Sequence, residues 1–521
     1  MTENARRLAV IDLGSNSFRL VVFTSGDGWW KRTDEIFEAV RIGEGLAATG
    51  SLGEAPMRRA LATVNVFAHF CQANGLTGDT IRAVATSAIR DAENAEDFLV
   101  RAEQRTGLAI RVLSQQEEAY YGYLAAVNST TLADGCVLDL GGGSMQLVRV
   151  DGRLARESES FRLGAVRMTE RFLPEDRPAK RRELDALRAH VTRKLGRAPW
   201  LPGTGRRLVG LGGTVRNLAT AAQRAAGLPS IGVQGMVITR DALEDLVERL
   251  AALPPGERAE VPGIKAARGD LILAGAVVVA TVLEVGGFDD LEVTEAGLRE
   301  GVFFEHHIGG EAPLFEDVRH ASVVNLAQQY HVDVAHTRHV AQLALGLFDE
   351  LAEAGLHAGD PIERELLWAA SVLHDIGMSV DYDDHHKHSR YLILNAGLPG
   401  YAPNEVAVIA QAALYHRKGM PDAGFLEPVL LDGDDARLNR LAALLRLAED
   451  LERSRDQAVR EAHVRVRGNE VELRMVADGE LAVPRWAAQR ETAVFERAFG
   501  ARLTVAGQPD RAATAVRAAG G

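Results

Sequence analysis

The first clear pattern along the chain is an apolar run, Leu8-Ala-Val-Ile11, that stops at Asp12-Leu-Gly14 and resumes as alternation, Phe18, Leu20, Val22. Alternation at period two reads as a strand, and two strands across a turn of small residues read as a β-hairpin. The same pattern returns 127 residues later. Val10-Ile-Asp-Leu-Gly-Ser-Asn-Ser-Phe-Arg-Leu-Val21 and Val137-Leu-Asp-Leu-Gly-Gly-Gly-Ser-Met-Gln-Leu-Val148 agree at seven of twelve positions, including Asp, Gly and Ser. The repeat predicts two duplicated α/β domains facing each other across a cleft, with function at the glycine turns.

Helical spacing over Met57–Asn74 and Asn94–Thr106 and a short strand over Ile81–Thr86 fill the first half. In the second, Leu208–Gly213 reads as a strand ending in Gly-Gly-Thr, with a helix from Val215. The apolar run Leu271–Leu283 is shorter than the ~18 residues of a membrane span and reads as a buried helix. From about Phe315 to Arg455 the pattern is helical and holds ten of the fifteen histidines. Alternation returns after Ala462 (Val464, Val466; Val471, Leu473, Met475), predicting a small α+β domain, and the Ala/Gly tail beyond Gln508 is expected to fray. The expected domains are 1–126, 127–310, 315–458 and 459–521.

Composition changes this picture little. A length of 521 residues demands several cores, and 46% apolar with 25% charged residues describes an ordinary soluble protein. The net charge of −13 argues against wholesale nucleic-acid binding. One island runs the other way: Arg177 to Arg207 holds ten Lys/Arg and two acids, which suits either a polyanionic ligand or a solvated helix face. Two cysteines, Cys71 and Cys136, form no disulfide framework, and the N-terminus lacks the features of a signal peptide, so a cytoplasmic protein with no membrane contact is expected.

The two turns carry candidate chemistry. Backbone N–H groups in a concave turn hold phosphate, and close approach demands small residues. Gly141-Gly142-Gly143-Ser144 and Gly14-Ser15-Asn16-Ser17 both qualify, with Asp12 and Asp139 at the strand ends placed to hold Mg²⁺ directly or through water. Hydrolysis also needs a base. Glu118, at the start of a helix, is the best candidate; it and Glu117 also read as a solvated pair of acids stabilised by the helix dipole.

Several motifs together resemble the exopolyphosphatase / guanosine pentaphosphate phosphohydrolase family. They are Asp12-Leu-Gly-Ser-Asn-Ser-Phe, Ala85-Thr-Ser-Ala-Ile-Arg-Asp-Ala-Glu-Asn94, Glu117-Glu-Ala, Asp139-Leu-Gly-Gly-Gly-Ser144, Gly210-Leu-Gly-Gly-Thr214 and Gly297-Leu-Arg-Glu-Gly-Val302, in that order. Further on, Trp368-Ala-Ala-Ser-Val-Leu-His-Asp-Ile-Gly377 and Tyr415-His-Arg-Lys418 resemble the family's long form. The resemblance implies an actin-like (ribonuclease-H-like) domain pair, Mg²⁺- or Mn²⁺-dependent release of terminal phosphate, and a homodimer. It implies Glu118 as base and metal neighbour, Asp139 as metal holder, and phosphate contacts from Ser15, Asn16, Ser17, Gly141, Gly142, Gly143 and Ser144. Arg90, Gly213 and Thr214 join them on the same ground. One departure stands out: the family usually has Gly-Gly-Gly-Ser-Thr-Glu where this chain has Gly-Gly-Gly-Ser-Met-Gln, so Gln146 replaces a carboxylate and the metal shell is expected to weaken.

The helical region resembles an HD phosphohydrolase domain, with His374-Asp375 as its central dyad. That likeness implies an upstream His336 (in better register than His339) and a downstream acid, Glu449 rather than Asp450. His385, His386, His388 and His416 offer further ligands, with His388 and His416 at two-metal spacing. Imidazole with carboxylate suits a transition metal.

The leading expectation is a hydrolase of inorganic polyphosphate with no specific nucleic-acid partner, with Lys180, Arg181 and Arg182 as candidate channel wall. Hydrolysis of pppGpp would use the same site. A non-catalytic phosphate or nucleotide sensor would keep the turns and lose the base, and an actin-like sugar kinase would need an aspartate base and a sugar pocket that no motif supplies.

Overall fold

The computed structural model describes residues 5–477 and 480–506; the expected fraying beyond Gln508 falls outside them. The first sheet is built from β1 (Arg6–Leu13), β2 (Phe18–Gly26), β3 (Trp29–Glu38), β4 (Ile81–Ala85) and β5 (Ile110–Val112), in the order β3-β2-β1-β4-β5. β1, β2 and β3 are antiparallel, and β4 and β5 run parallel to β1. The second sheet contains β6 (Gly135–Leu140), β7 (Met145–Asp151), β8 (Leu154–Phe161), β9 (Leu208–Leu211), β10 (Val237–Thr239) and β11 (Asp290–Val293), in the order β10-β11-β9-β6-β7-β8. Read from β8, this is the first sheet's order again, with β10 added antiparallel at the far edge. The fold is a duplicated actin-like α/β pair. Register repeats as well: Asp12 stands opposite Arg19 on the neighbouring strand, and Asp139 stands opposite Gln146.

Burial explains why these segments take these positions. β1 carries the unbroken apolar run Leu8–Ile11 because it is central and covered there on both faces. β3 is mostly exposed and carries Lys31, Arg32, Asp34 and Glu35, the charges that discourage further pairing at a sheet edge. The helix Glu54–Ala73 buries Leu61, Val64 and Phe67 in the first domain's core, and Ile272–Gly286 is apolar all round because it lies inside the second. Between the sheets, the helices Gln115–Val127 and Leu298–Ile308 share one core with Val10, Val21, Val137 and Val148. They cross so closely that a Cβ on Gly301 would lie 2.0 Å from the Tyr121 carbonyl oxygen.

The chain divides into two compact units, Met1–Asn325 with Leu398–Pro403, and Leu326–Gly397 with Asn404–Gly521. The second unit contains the helices Val334–Glu353, Pro361–Leu373, His385–Ala396 and Asp434–Leu451. These are followed by β12 (Val459–Arg467), β13 (Glu470–Ala477) and β14 (Arg502–Val505), with β13 antiparallel to β12 and parallel to β14. The small sheet is tied to the helices: the Glu350 carboxylate accepts the Val464 N–H at 2.7 Å and pairs with His463 at 2.6 Å. The helical and α+β regions thus form one unit. Among the described residues no helix is long and apolar enough to cross a membrane.

Candidate active site

Both hairpin turns close in the same way. The Gly14 N–H donates to the Ser17 carbonyl at 3.2 Å, and the Gly141 N–H donates to the Ser144 carbonyl at 3.0 Å. The turns open into one cavity. Asp12, Ser15, Asn16 and Ser17 line it from the first domain; Asp139, Gly141, Gly142, Ser144 and Gly213 line it from the second, and Glu118 joins them. Gly143 lies where the two halves touch, since a Cβ there would sit 2.6 Å from Ser87 Oγ and 2.8 Å from Ser15 Oγ. The helix Gly213–Ala225 begins at the cavity, so unpaired N–H groups and the positive end of its dipole face inward.

Glu117 and Glu118 part company at the first turn of the helix Gln115–Val127. Ser114 caps that helix: its Oγ accepts the Glu117 N–H at 3.1 Å, and the Glu117 carboxylate accepts the Ser114 N–H at 2.8 Å. Glu117 also pairs with Arg111 at 3.1 Å. Glu118 is buried and turned to the cavity. Arg90 Nη1 donates to Glu118 Oε2 at 2.7 Å, and Ser144 Oγ donates to Oε1 at 3.0 Å.

Charges crowd here with both signs. Burial raises the proton affinity of Glu118 above the usual carboxylate range despite Arg90. Burial also raises Asp12, although Arg299 Nη1 donates to its Oδ2 at 3.0 Å. Asp139 is pushed up to about 7, by burial first and then by Glu118 and Asp12. Arg19, Arg216, Arg268 and Arg299 stand around the same cavity. Arg216 and Arg268 are each brought down to about 10, by burial and then by neighbouring arginines. The carboxylates repel one another and so do the arginines, which makes the cavity receptive to a cation beside the acids and an anion beside the arginines. None of the four arginines was singled out from the sequence. Arg19 and Arg299 lie inside the repeat and the Gly297–Val302 motif, and Arg216 lies two residues past Gly212-Gly213-Thr214, which is the available signal.

Other sequence candidates sit elsewhere. Arg90 lies against Glu118 and the Leu113 carbonyl (2.9 Å) rather than on the cavity wall. Thr214 is buried against the helix Ile272–Gly286, where its Cγ2 would meet a Cβ on Gly275 at 2.3 Å. Gln146 also stands off the lining, behind Ser144. Lys180, Arg181 and Arg182 are exposed and line none of the described cavities, and elsewhere in the island Arg177 is paired with Glu183, Arg188 with Glu244 and Arg197 with Glu159. A second basin adjoins the cavity instead, sharing Arg19, Arg216, Arg268 and Arg299 and adding Arg32 and Lys265. Its acids, Glu35 and Glu295, are engaged by Arg19 at 2.9 Å and by the Val233 N–H at 2.9 Å.

In the helical unit, two groups bring ligand atoms within 4.8 Å of one another: His336, His374 and Asp375, and Asp375, His385 and His416. Asp375 is common to both. Glu449 Oε2 lies 3.1 Å from His336 Nε2 and 3.2 Å from His374 Nε2, and Asp450 is not among these neighbours. His385, not His388, lies 3.3 Å from Asp375; His388 is half-buried one turn further along the same helix. Gly377 permits this fold-back, because a Cβ there would lie 2.1 Å from the His385 carbonyl oxygen. His336 Nε2, His374 Nε2, Asp375 Oδ1 and Glu449 Oε2 are buried without a hydrogen bond, so close groups converge without satisfying one another.

Known proteins resemble the chain along most of its length. The chain matches the Ppx/GppA phosphatase family over residues 21–307, and domain III of that family over 318–483. The Aquifex aeolicus member of the Ppx/GppA family is similar at 30% identity and a TM-score of 0.50, covering 57% of this chain and 96% of its own. An exopolyphosphatase from Cytophaga hutchinsonii shares the fold at 22% identity and a TM-score of 0.54, covering 58% of this chain and 97% of its own.

Proposed function

This chain belongs to the Ppx/GppA phosphatase family and is a phosphate-hydrolysing enzyme, and we propose that it releases terminal orthophosphate from inorganic polyphosphate. The observation that carries the reading is the single cavity in which two phosphate-sized turns, three crowded carboxylates and four arginines meet. Ser15, Asn16 and Ser17 hold the terminal phosphate from one side and Gly142 and Ser144 from the other, with Gly141 closing the second turn and leaving room for its close approach. The arginines bind its oxygens, and the adjoining basin, with Arg32 and Lys265, takes the rest of the anionic chain.

Three carboxylates that meet in one buried cavity and repel one another fit a hard cation, Mg²⁺ or Mn²⁺, and Asp12 and Asp139 would hold it, with Glu118 beside them. When bound, such a cation offsets negative charge on the phosphate oxygens. Glu118 orients a water and takes its proton as the water oxygen attacks the terminal phosphorus in line. The bond to the bridging oxygen breaks, orthophosphate leaves, and the chain is one phosphate shorter. Arg90 holds the Glu118 carboxylate in place for this step.

The same cavity serves pppGpp, whose 5′ end is also a triphosphate. The cations of the basin, Arg32 and Lys265 beside Arg19, Arg216, Arg268 and Arg299, favour the polymer, because every further phosphate of a polyphosphate chain carries charge for them to meet and a guanosine does not. Phosphate release from long polyphosphate and from pppGpp at matched concentrations tests this; a higher kcat/KM for pppGpp would reverse the assignment. For the helical unit, the unpaired atoms of His336, His374, Asp375 and Glu449, with His385 and His416, fit a divalent transition metal in a second centre.

A further inference from the structure

We propose that Gln146 is a positioning residue that fixes the Ser144 hydroxyl as a hydrogen-bond donor to the base Glu118; this rests on the reading of Glu118 as base. Gln146 is 2% exposed, sits opposite Asp139 across the hairpin, and stands outside the cavity lining. Its Nε2 lies 3.0 Å from Ser144 Oγ and 3.3 Å from Ser160 Oγ. Ser144 Oγ in turn lies 3.0 Å from Glu118 Oε1, while Arg90 occupies Oε2.

Counting donors gives the direction of every bond. A base is ionised before it acts, and a carboxylate only accepts hydrogen bonds. The single Ser144 proton therefore points to Glu118. Any further partner of the Ser144 oxygen must donate, and at position 146 only the amide N–H₂ end does so. The chain of donors runs from Gln146 to Ser144 to Glu118, with Arg90 closing the other side. The bonds at Oε1 and Oε2 hold the carboxylate on two edges and leave its remaining lone pairs for the attacking water.

A glutamate at 146 reverses this order. It has the same length but no N–H, so Ser144 faces two acceptors with one proton, and Glu118 loses a partner that holds its orientation. A leucine keeps the volume and removes the donor. Both changes act on Glu118 only by way of Ser144.

The test is a set of coupled substitutions in the full chain, with kcat and KM for polyphosphate measured at saturating Mg²⁺ and melting curves to verify folding. Gln146→Glu is expected to lower kcat roughly tenfold or more, the scale of a lost hydrogen bond to a charged group, with KM changed less than about threefold. Gln146→Leu is expected to lower kcat by a smaller factor. In a Ser144→Ala background, Gln146→Leu should change kcat less than about twofold, because the link has been removed. The proposal is overturned if the Gln146 substitutions cost as much without Ser144 as with it, if they leave kcat unchanged, or if they alter only the Mg²⁺ requirement. Glu118→Gln in the same assay separates the two readings. If Glu118→Gln is inactive and the coupling is absent, the relay alone fails; normal turnover by Glu118→Gln ends both. Leucine and glutamate test the link by different chemistry, so misfolding of one variant leaves the other decisive.

Discussion

Adjacent in the chain, Glu117 and Glu118 are committed to different tasks by one turn of helix. Glu117 closes the capping box with Ser114 and pairs with Arg111, so its removal weakens the helix start and leaves the cavity as it was. Glu117→Ala is expected to cost about 0.5–1 kcal/mol of stability with kcat within about twofold of the parent, measured by chemical denaturation beside phosphate release. The sequence offered both acids, because helical phase alone does not say which one a cap will claim. It offered Asp12, Asp139 and the turn residues more plainly, since the repeat put them in register. The arginines were hidden by distance: Arg299 reaches Asp12 from 287 positions away, and no local pattern reports such a pairing. His385 and His388 were ambiguous for a related reason, being one turn apart on the same helix, so spacing alone does not choose the ligand.

At the scale of elements, the hairpin repeat was legible because strand alternation and turn chemistry are local properties, and the same strand order in both sheets reflects it. Helix starts moved by a few residues, as at Gly213 rather than Val215, where a glycine opens the helix at the cavity. Connections between helices carry their own chemistry. His357, between the helices Val334–Glu353 and Pro361–Leu373, has Nε2 3.0 Å from the Phe348 carbonyl oxygen while its Nδ1 accepts the Gly359 N–H at 3.1 Å. Donor at one nitrogen and acceptor at the other is the neutral tautomer. Burial lowers its proton affinity below the usual histidine value of 6.5. A depressed folded-state pKa means that the unfolded chain binds the proton more readily, so stability is full above about 6.5 and declines as pH falls through the lower folded value. Gln at this position keeps a donor and an acceptor and does not titrate. The wild-type melting temperature should therefore fall relative to that of His357→Gln between pH 7 and pH 5; parallel curves would remove His357 from the acid response.

At the scale of the molecule, the chain groups into two compact units; in one, Glu350 and His463 bind the small sheet to the helices, and in the other the two actin-like halves share a core around Tyr121 and Phe303. Periodicity marks elements and says little about which cores merge. Charge behaves likewise. The island Arg177–Arg207 is conspicuous in the sequence, yet Lys180, Arg181 and Arg182 line none of the described cavities, while Arg19, Arg32, Arg216, Lys265, Arg268 and Arg299, scattered over some 280 positions, collect at the cavity and its basin. Everything in the functional account converges on Glu118 acting beside metal-holding carboxylates on a terminal phosphate. Orthophosphate release from long-chain polyphosphate, by the purified full chain with Mg²⁺ and by its Glu118→Gln variant, tests this most directly. The account predicts steady release by the parent and a rate lowered roughly 10²-fold or more in the variant, with polyphosphate still bound. No release by the parent, or equal rates for the two proteins, would contradict it.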